Sequence, residues 1–129
     1  MLSKIAPALI LALPLILAGP AQAAPSASVG VHVINVAPNN AGVLVFYVDA
    51  VRTGLPACAT SGGQVWTINT NTAAGQVMAS ALFTALSTGL PVDIGGTGVC
   101  DVAAGSESAG FIAVRKPCLL YTSPSPRDS

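Results

Sequence analysis

The sequence predicts a small, mainly β domain with one α-helix between its middle strands, the strands forming a curled antiparallel sheet. Three observations predict it. Short β-branched runs recur between clusters of Gly, Pro and Asn, the punctuation of strands and turns. One longer stretch, residues 72–88, has apolar residues at helical spacing and stops at Gly89. Residues 24–117, about 94 in all, are enough for one hydrophobic core and no more.

The elements follow in order. Residues 29–37 (VGVHVINVA) read as a strand that ends at the turn cluster 38–42, and residues 43–51 (VLVFYVDAV) read as its hairpin partner. In the second strand Leu44, Phe46, Val48 and Ala50 share the face assigned to the core, while Val43, Val45, Tyr47 and Asp49 share the other. That second face is apolar enough to meet a ligand or another subunit. Residues 52–63 form a loop broken by Gly54, Pro56, Gly62 and Gly63, with Cys58 as its tether. Residues 64–69 are a short strand carrying Trp66 and Ile68. Asn69 or Asn71 then caps the helix, a side-chain oxygen accepting its unpaired first-turn N–H groups. Val77, Ala81 and Ala85, with Met78, Leu82 and Leu86 beside them, are expected to cover the buried face. Pro91 forbids continuation past Gly89. Further strands are expected at residues 90–94, 98–103 and 110–115, the first two joined by a Gly95-Gly96-Thr97-Gly98 hairpin turn requiring positive φ.

The two ends differ from this domain. Residues 1–23 have the three parts of a secretory signal: Lys4, an apolar run over residues 5–18, and the small-x-small site Ala21-Gln22-Ala23. The run is interrupted by Pro7 and Pro14 and is too short for a membrane span. The expected address is therefore secreted or periplasmic. At the other end residues 118–128 (CLLYTSPSPRD) resemble the translation of a transposase-type sequencing adapter. Residues 118–129 are expected to be a disordered tail with Cys118 outside the domain's own framework.

Charge narrows the function classes. Between residues 24 and 117 the basic side chains are Arg52, Arg115 and Lys116 and the acidic ones Asp49, Asp93, Asp101 and Glu107. No basic footprint for nucleic acid and no polybasic membrane patch results. So few charges leave a surface open to self-association. Cys58 and Cys100, in an oxidising compartment, are expected to form one disulfide.

The residues that carry chemistry are scarce. His32 is the only histidine, sits in a strand, and has no recognisable nucleophile beside it in sequence. Asp93, Asp101 and Glu107 are the only carboxylates near one another, and an acid/base pair or a calcium site would need set separations or six or more oxygens. The glycine-rich turn lacks the lysine and following helix of a phosphate loop. Trp66 and Tyr47 are both able to stack on a sugar. Trp66 is assigned to the core and Tyr47 to the ligand-facing side. Nothing calls for a cofactor or metal.

The order strand, strand, strand, helix, strand, strand is similar to the oligonucleotide/oligosaccharide-binding (OB) barrel. The words W-T-I-N (66–69), T-A-A-G-Q (72–76), L-F-T-A-L-S-T-G (82–89) and V-D-I-G-G-T-G-V-C (92–100), with the later Glu107, resemble small secreted bacterial proteins akin to subtilase-cytotoxin B subunits. The resemblance covers about residues 30–115, and it implies an OB-like barrel. Those toxin subunits form pentamers that bind host glycans. The resemblance carries over no individual sugar-binding residue. The function expected is a secreted, non-enzymatic binding or assembly module for a glycan, a protein ligand or a partner subunit, including further copies of itself. Its interaction surface would comprise Val43, Val45, Tyr47 and Asp49. The alternative is a small secreted hydrolase using His32 or the Asp101/Glu107 carboxylates.

Overall fold

The computed structural model describes residues 25–116. The expected signal segment, and the tail from residue 118 onward with Cys118, lie outside them. The domain is mainly β with one helix, in the order β1 (Ala27–Val31), β2 (Val33–Pro38), β3 (Val43–Val48), β4 (Val65–Asn69), α1 (Ala73–Thr88), β5 (Val92–Gly96) and β6 (Ala109–Val114). The strands form two three-stranded antiparallel sheets, β1-β5-β6 and β2-β3-β4.

The first expected strand is two. The β-branched run breaks at His32, because Val31 pairs with Val92 in one sheet while Val33 pairs with Val48 in the other. A continuous apolar run fits both pairings, so no local residue marks the break. Where one curled sheet or barrel was expected, two sheets face each other across the core and do not close. They are linked by the His32 bend on one side and by an isolated parallel bridge, Thr67 to Ser108, on the other.

The hairpin register follows the side-chain alternation. Leu44, Phe46 and Val48 are buried in the core as expected, whereas Ala50 lies beyond the strand and is exposed. Trp66 and Ile68 from β4 and Val92 and Ile94 from β5 complete the two inner faces. The helix packs against both sheets.

Its details correct the sequence reading. Thr72, not Asn69 or Asn71, is the N-cap, its Oγ1 accepting from the Gly75 N–H at 3.0 Å. Asn69 uses its side chain one step earlier, accepting from Asn71 N–H at 3.0 Å. Gly89 is left-handed at φ 70° and closes the helix as expected. The buried stripe is Gly75, Ala79, Leu82 and Ala85, while Val77 and Leu86 are exposed. Small residues win this face because the helix lies against the sheet. A Cβ on Gly75 would sit 1.7 Å from the Asn69 carbonyl oxygen.

Residues 98–103 are not a strand. Their backbone is held by loop contacts instead, with Ser108 N–H donating to Val99 O at 3.0 Å and Ser106 N–H to Ala103 O at 3.3 Å. The expected hairpin turn before them is also corrected. Gly95 and Gly96 belong to β5, and of this quartet only Gly98 has positive φ, at 81°. What the strand glycines supply is space. A Cβ on Gly95 would meet the Phe111 ring at 2.1 Å, and one on Gly96 the Glu107 carboxylate at 1.9 Å.

The expected disulfide is present: Cys58 and Cys100 are bonded with Cα atoms 6.0 Å apart and lie 42 positions apart in sequence. It ties the long loop after β3 to the loop before β6. The same two loops are joined by Ser61 N–H donating to Gly105 O at 2.8 Å. Closing a loop of this length stabilises a domain by about 4 kcal/mol in the chain-entropy account.

Candidate functional site

The outer face of β3 presents Val43, Val45, Tyr47 and Asp49. Val43 and Val45 are half-buried, and Tyr47 is 37% exposed. Among the described residues no second layer covers Tyr47, because the helix packs on the opposite, inner side of the sheet with Phe46 and Leu44. Register sets its neighbours. Directly opposed residues of an antiparallel pair project from the same face, so Asn35 of β2 lies beside Tyr47 on one flank and Val65 of β4 on the other.

At the end of this stripe Asp49 is bound to His32. The His32 backbone N–H donates to Asp49 Oδ1 at 2.8 Å, and the imidazole Nδ1 lies 3.0 Å from Asp49 Oδ2. The backbone N–H of His32 is the chief reason the Asp49 carboxyl lies below its ordinary value. Desolvation opposes the shift, and the imidazole reinforces it. An ionised Asp49 accepts this hydrogen bond from Nδ1–H, which leaves Nε2 outside the contact. The histidine that showed no partner in sequence therefore has one, because the bend between β1 and β2 brings it to the end of β3. The face now holds an aromatic ring, an amide, a carboxylate and an imidazole. That set suits hydrogen bonding to hydroxyls with stacking on an apolar ring face.

The other carboxylates are dispersed. Asp93 accepts from Gly30 N–H and from Arg115 Nη2, both at 2.8 Å, on the outside of the β1-β5-β6 sheet. Asp101 is exposed and accepts from the Ser108 hydroxyl. Glu107 is fully buried. The Asp101 and Glu107 carboxylates thus stand in different environments, one in solvent and one in the core. Among the described residues no three His, Cys, Asp or Glu side chains gather as a metal site.

Glu107 belongs to a buried polar network that sequence reasoning missed. Its carboxylate accepts from the Ser26 hydroxyl, from Ser26 N–H at 3.2 Å and from Gly98 N–H at 2.9 Å. Arg52 Nη2 lies 3.6 Å from it, and neither side chain of this ion pair is more than 1% exposed. Arg52 also donates from Nε to Ser26 Oγ at 2.7 Å and from Nη1 to the Gly63 and Val65 carbonyls at 2.8 and 3.0 Å. Its guanidinium carbon sits 3.6 Å from the Trp66 ring centroid, a cation–π contact inside the core. Burial pushes the Arg52 guanidinium down from its ordinary value, and the Glu107 carboxylate counteracts that shift. Trp66 is accordingly a core residue with its ring covered, which leaves Tyr47, of the two rings singled out in the sequence, as the one open to solvent; Phe83 and Phe111 are exposed as well. One signal for this network was present: Arg52 is the sole cation in a loop otherwise made of small and apolar residues.

No protein-family model and no curated protein matches this chain.

Proposed function

We propose that this protein is a secreted, non-enzymatic binding or assembly module that recognises a hydroxyl-rich ligand such as a glycan, or a partner subunit, through the outer face of β3. One observation carries the reading. Tyr47 stands open to solvent on a sheet face that also presents Asn35 and the hydrogen-bonded His32–Asp49 pair. The Cys58–Cys100 bond supports export to an oxidising compartment, in keeping with the secretory character of residues 1–23. The strand order, with the helix between β4 and β5, is in keeping with an OB-like, toxin-B-subunit-like module. Glycan-array binding and light scattering, each compared with Tyr47→Ala, test the proposal. Loss of array signal assigns Tyr47 to a sugar, and loss of a larger species assigns it to self-association. If neither assay changes, the surface assignment fails.

A second reading rests on the same pair. A carboxylate hydrogen-bonded to Nδ1 orients an imidazole as in acid/base catalysis, which suits a small hydrolase acting through His32. Hydrolysis that persists unchanged in His32→Ala rules this out.

A further inference from the structure

Beyond the His32 bend the molecule leaves a slot. The Asp49 N–H donates to His32 O at 3.0 Å, and past this rung the arms on either side diverge. β1 turns away to pair with β5, while residues 50–53 turn toward the loop that holds Gly63. Between the arms lies a cleft of about 220 Å³ walled by Ala27, Val29 and Val31 on one side and Ala50, Val51 and Thr53 on the other.

The β1 wall turns main chain toward it. Among the described residues β1 is the end strand of its sheet, so its outer edge has no strand beside it there. Ser26 O accepts from Gly96 N–H, and Gly30 N–H donates to Asp93 Oδ1, so these residues face β5. Alternation then turns the N–H and C=O groups of Ala27 and Val29 into the slot. Across it Arg52 N–H donates the other way, to Gly63 O at 3.2 Å, so residues 50–53 form the opposite wall. An exposed strand edge is ordinarily guarded by charge or proline. The β1 sequence Ala-Ser-Val-Gly-Val has neither.

We propose that this slot accepts an extended peptide strand, neutral and bearing small apolar side chains, which pairs by its main chain with β1 and lies against residues 50–53. The chemistry selects that occupant. The one charged side chain in the walls, Arg52, is already opposed by Glu107 behind it, so the slot favours neither a carboxylate nor an ammonium. Its lips are Val29 and Val51, 69% and 68% exposed, which suit small aliphatic side chains. The volume falls below the roughly 300–1,000 Å³ of small-molecule pockets, as expected for the width of a single strand. A second copy of this domain would bring the edge of a whole sheet, which cannot enter a gap walled on both sides. A lone strand can, and main-chain pairing is how strand addition gains its affinity.

The test uses the full chain and a capped Thr-Val-Thr-Val-Thr peptide, with amide hydrogen exchange followed by NMR. Exchange at Ala27 and Val29 is expected to slow by about tenfold on peptide addition. The same peptide N-methylated at alternate residues is expected to leave it unchanged. Val29→Lys, which places a charge on the lip, is expected to remove the response without lowering the melting temperature. No slowing at millimolar peptide overturns the proposal, as does an undiminished response in Val29→Lys. Protection already present without peptide also overturns it. If concentration-independent, a segment of the same chain fills the slot, and if concentration-dependent, a second copy does.

Discussion

Two acid–base pairs of this molecule use the same kind of chemistry in opposite surroundings. Arg52–Glu107 is sealed in the core, with both side chains essentially inaccessible. His32–Asp49 stands at the surface, its side chains 50% and 43% exposed. Burial decides what each does. Inside, a charge stripped of water needs partners, and here Ser26, Gly98, Gly63, Val65 and the Trp66 ring supply them. Arg52 Nη2 has the Glu107 carboxylate at 3.6 Å but no hydrogen bond among the described residues. Those contacts join the start of β1, the loop after β3, β4 and the loop before β6. That pair is scaffold. Outside, water screens the charges, so the pair adds little to stability and remains open to a ligand.

The largest expected effect comes from breaking the buried pair. Arg52→Met preserves bulk but leaves the Glu107 carboxylate without its counter-charge. It should lower unfolding free energy by about 3–5 kcal/mol, measured by urea denaturation. A loss under about 1 kcal/mol would mean that Ser26 and Gly98 alone neutralise the carboxylate. Gly96→Ala sharpens the point without removing either charge. Its methyl would enter the space of Glu107 Oε2, and the resulting overpacking should cost about 1–3 kcal/mol.

The smallest effect belongs to the exposed pair and is visible in its pH dependence. Because the folded-state pKa of Asp49 lies below its unfolded value, its contribution is present above the ordinary carboxylate range, near about 4. It disappears as pH falls through the lowered value. Asp49→Asn should therefore unfold slightly more easily than the parent at neutral pH, by less than about 1 kcal/mol. In acid, once Asp49 is protonated in both states, the two should converge. A difference that grows on acidification would contradict the assignment.

The same contrast explains what the sequence revealed. Features set by near neighbours were legible: the β2–β3 hairpin from alternation and the helix from its spacing and Gly89. The disulfide was legible for another reason, because residues 24–117 hold just two cysteines. Tyr47 stood out because Leu44, Phe46 and Val48 already supply the inner face, leaving the intervening side chains without a core to fill. Features set by distant segments were not legible. The break at His32 depends on Val92 and Val48 claiming alternate ends of one uniform run. Nothing near Glu107 in sequence marked it as buried, because its partners, Ser26 and Arg52, come from far along the chain. The strand glycines Gly95 and Gly96 looked like a turn because absence of a Cβ reads the same in sequence whether it permits positive φ or makes room for a ring and a carboxylate.

The most direct test of this division between scaffold and surface is urea unfolding of Glu107→Gln and Asp49→Asn, side by side at neutral pH. Each change removes one carboxylate charge while keeping nearly the same shape. The account predicts a loss of about 3–5 kcal/mol for Glu107→Gln and less than about 1 kcal/mol for Asp49→Asn. Equal losses, or a Glu107→Gln protein as stable as the parent, would contradict it.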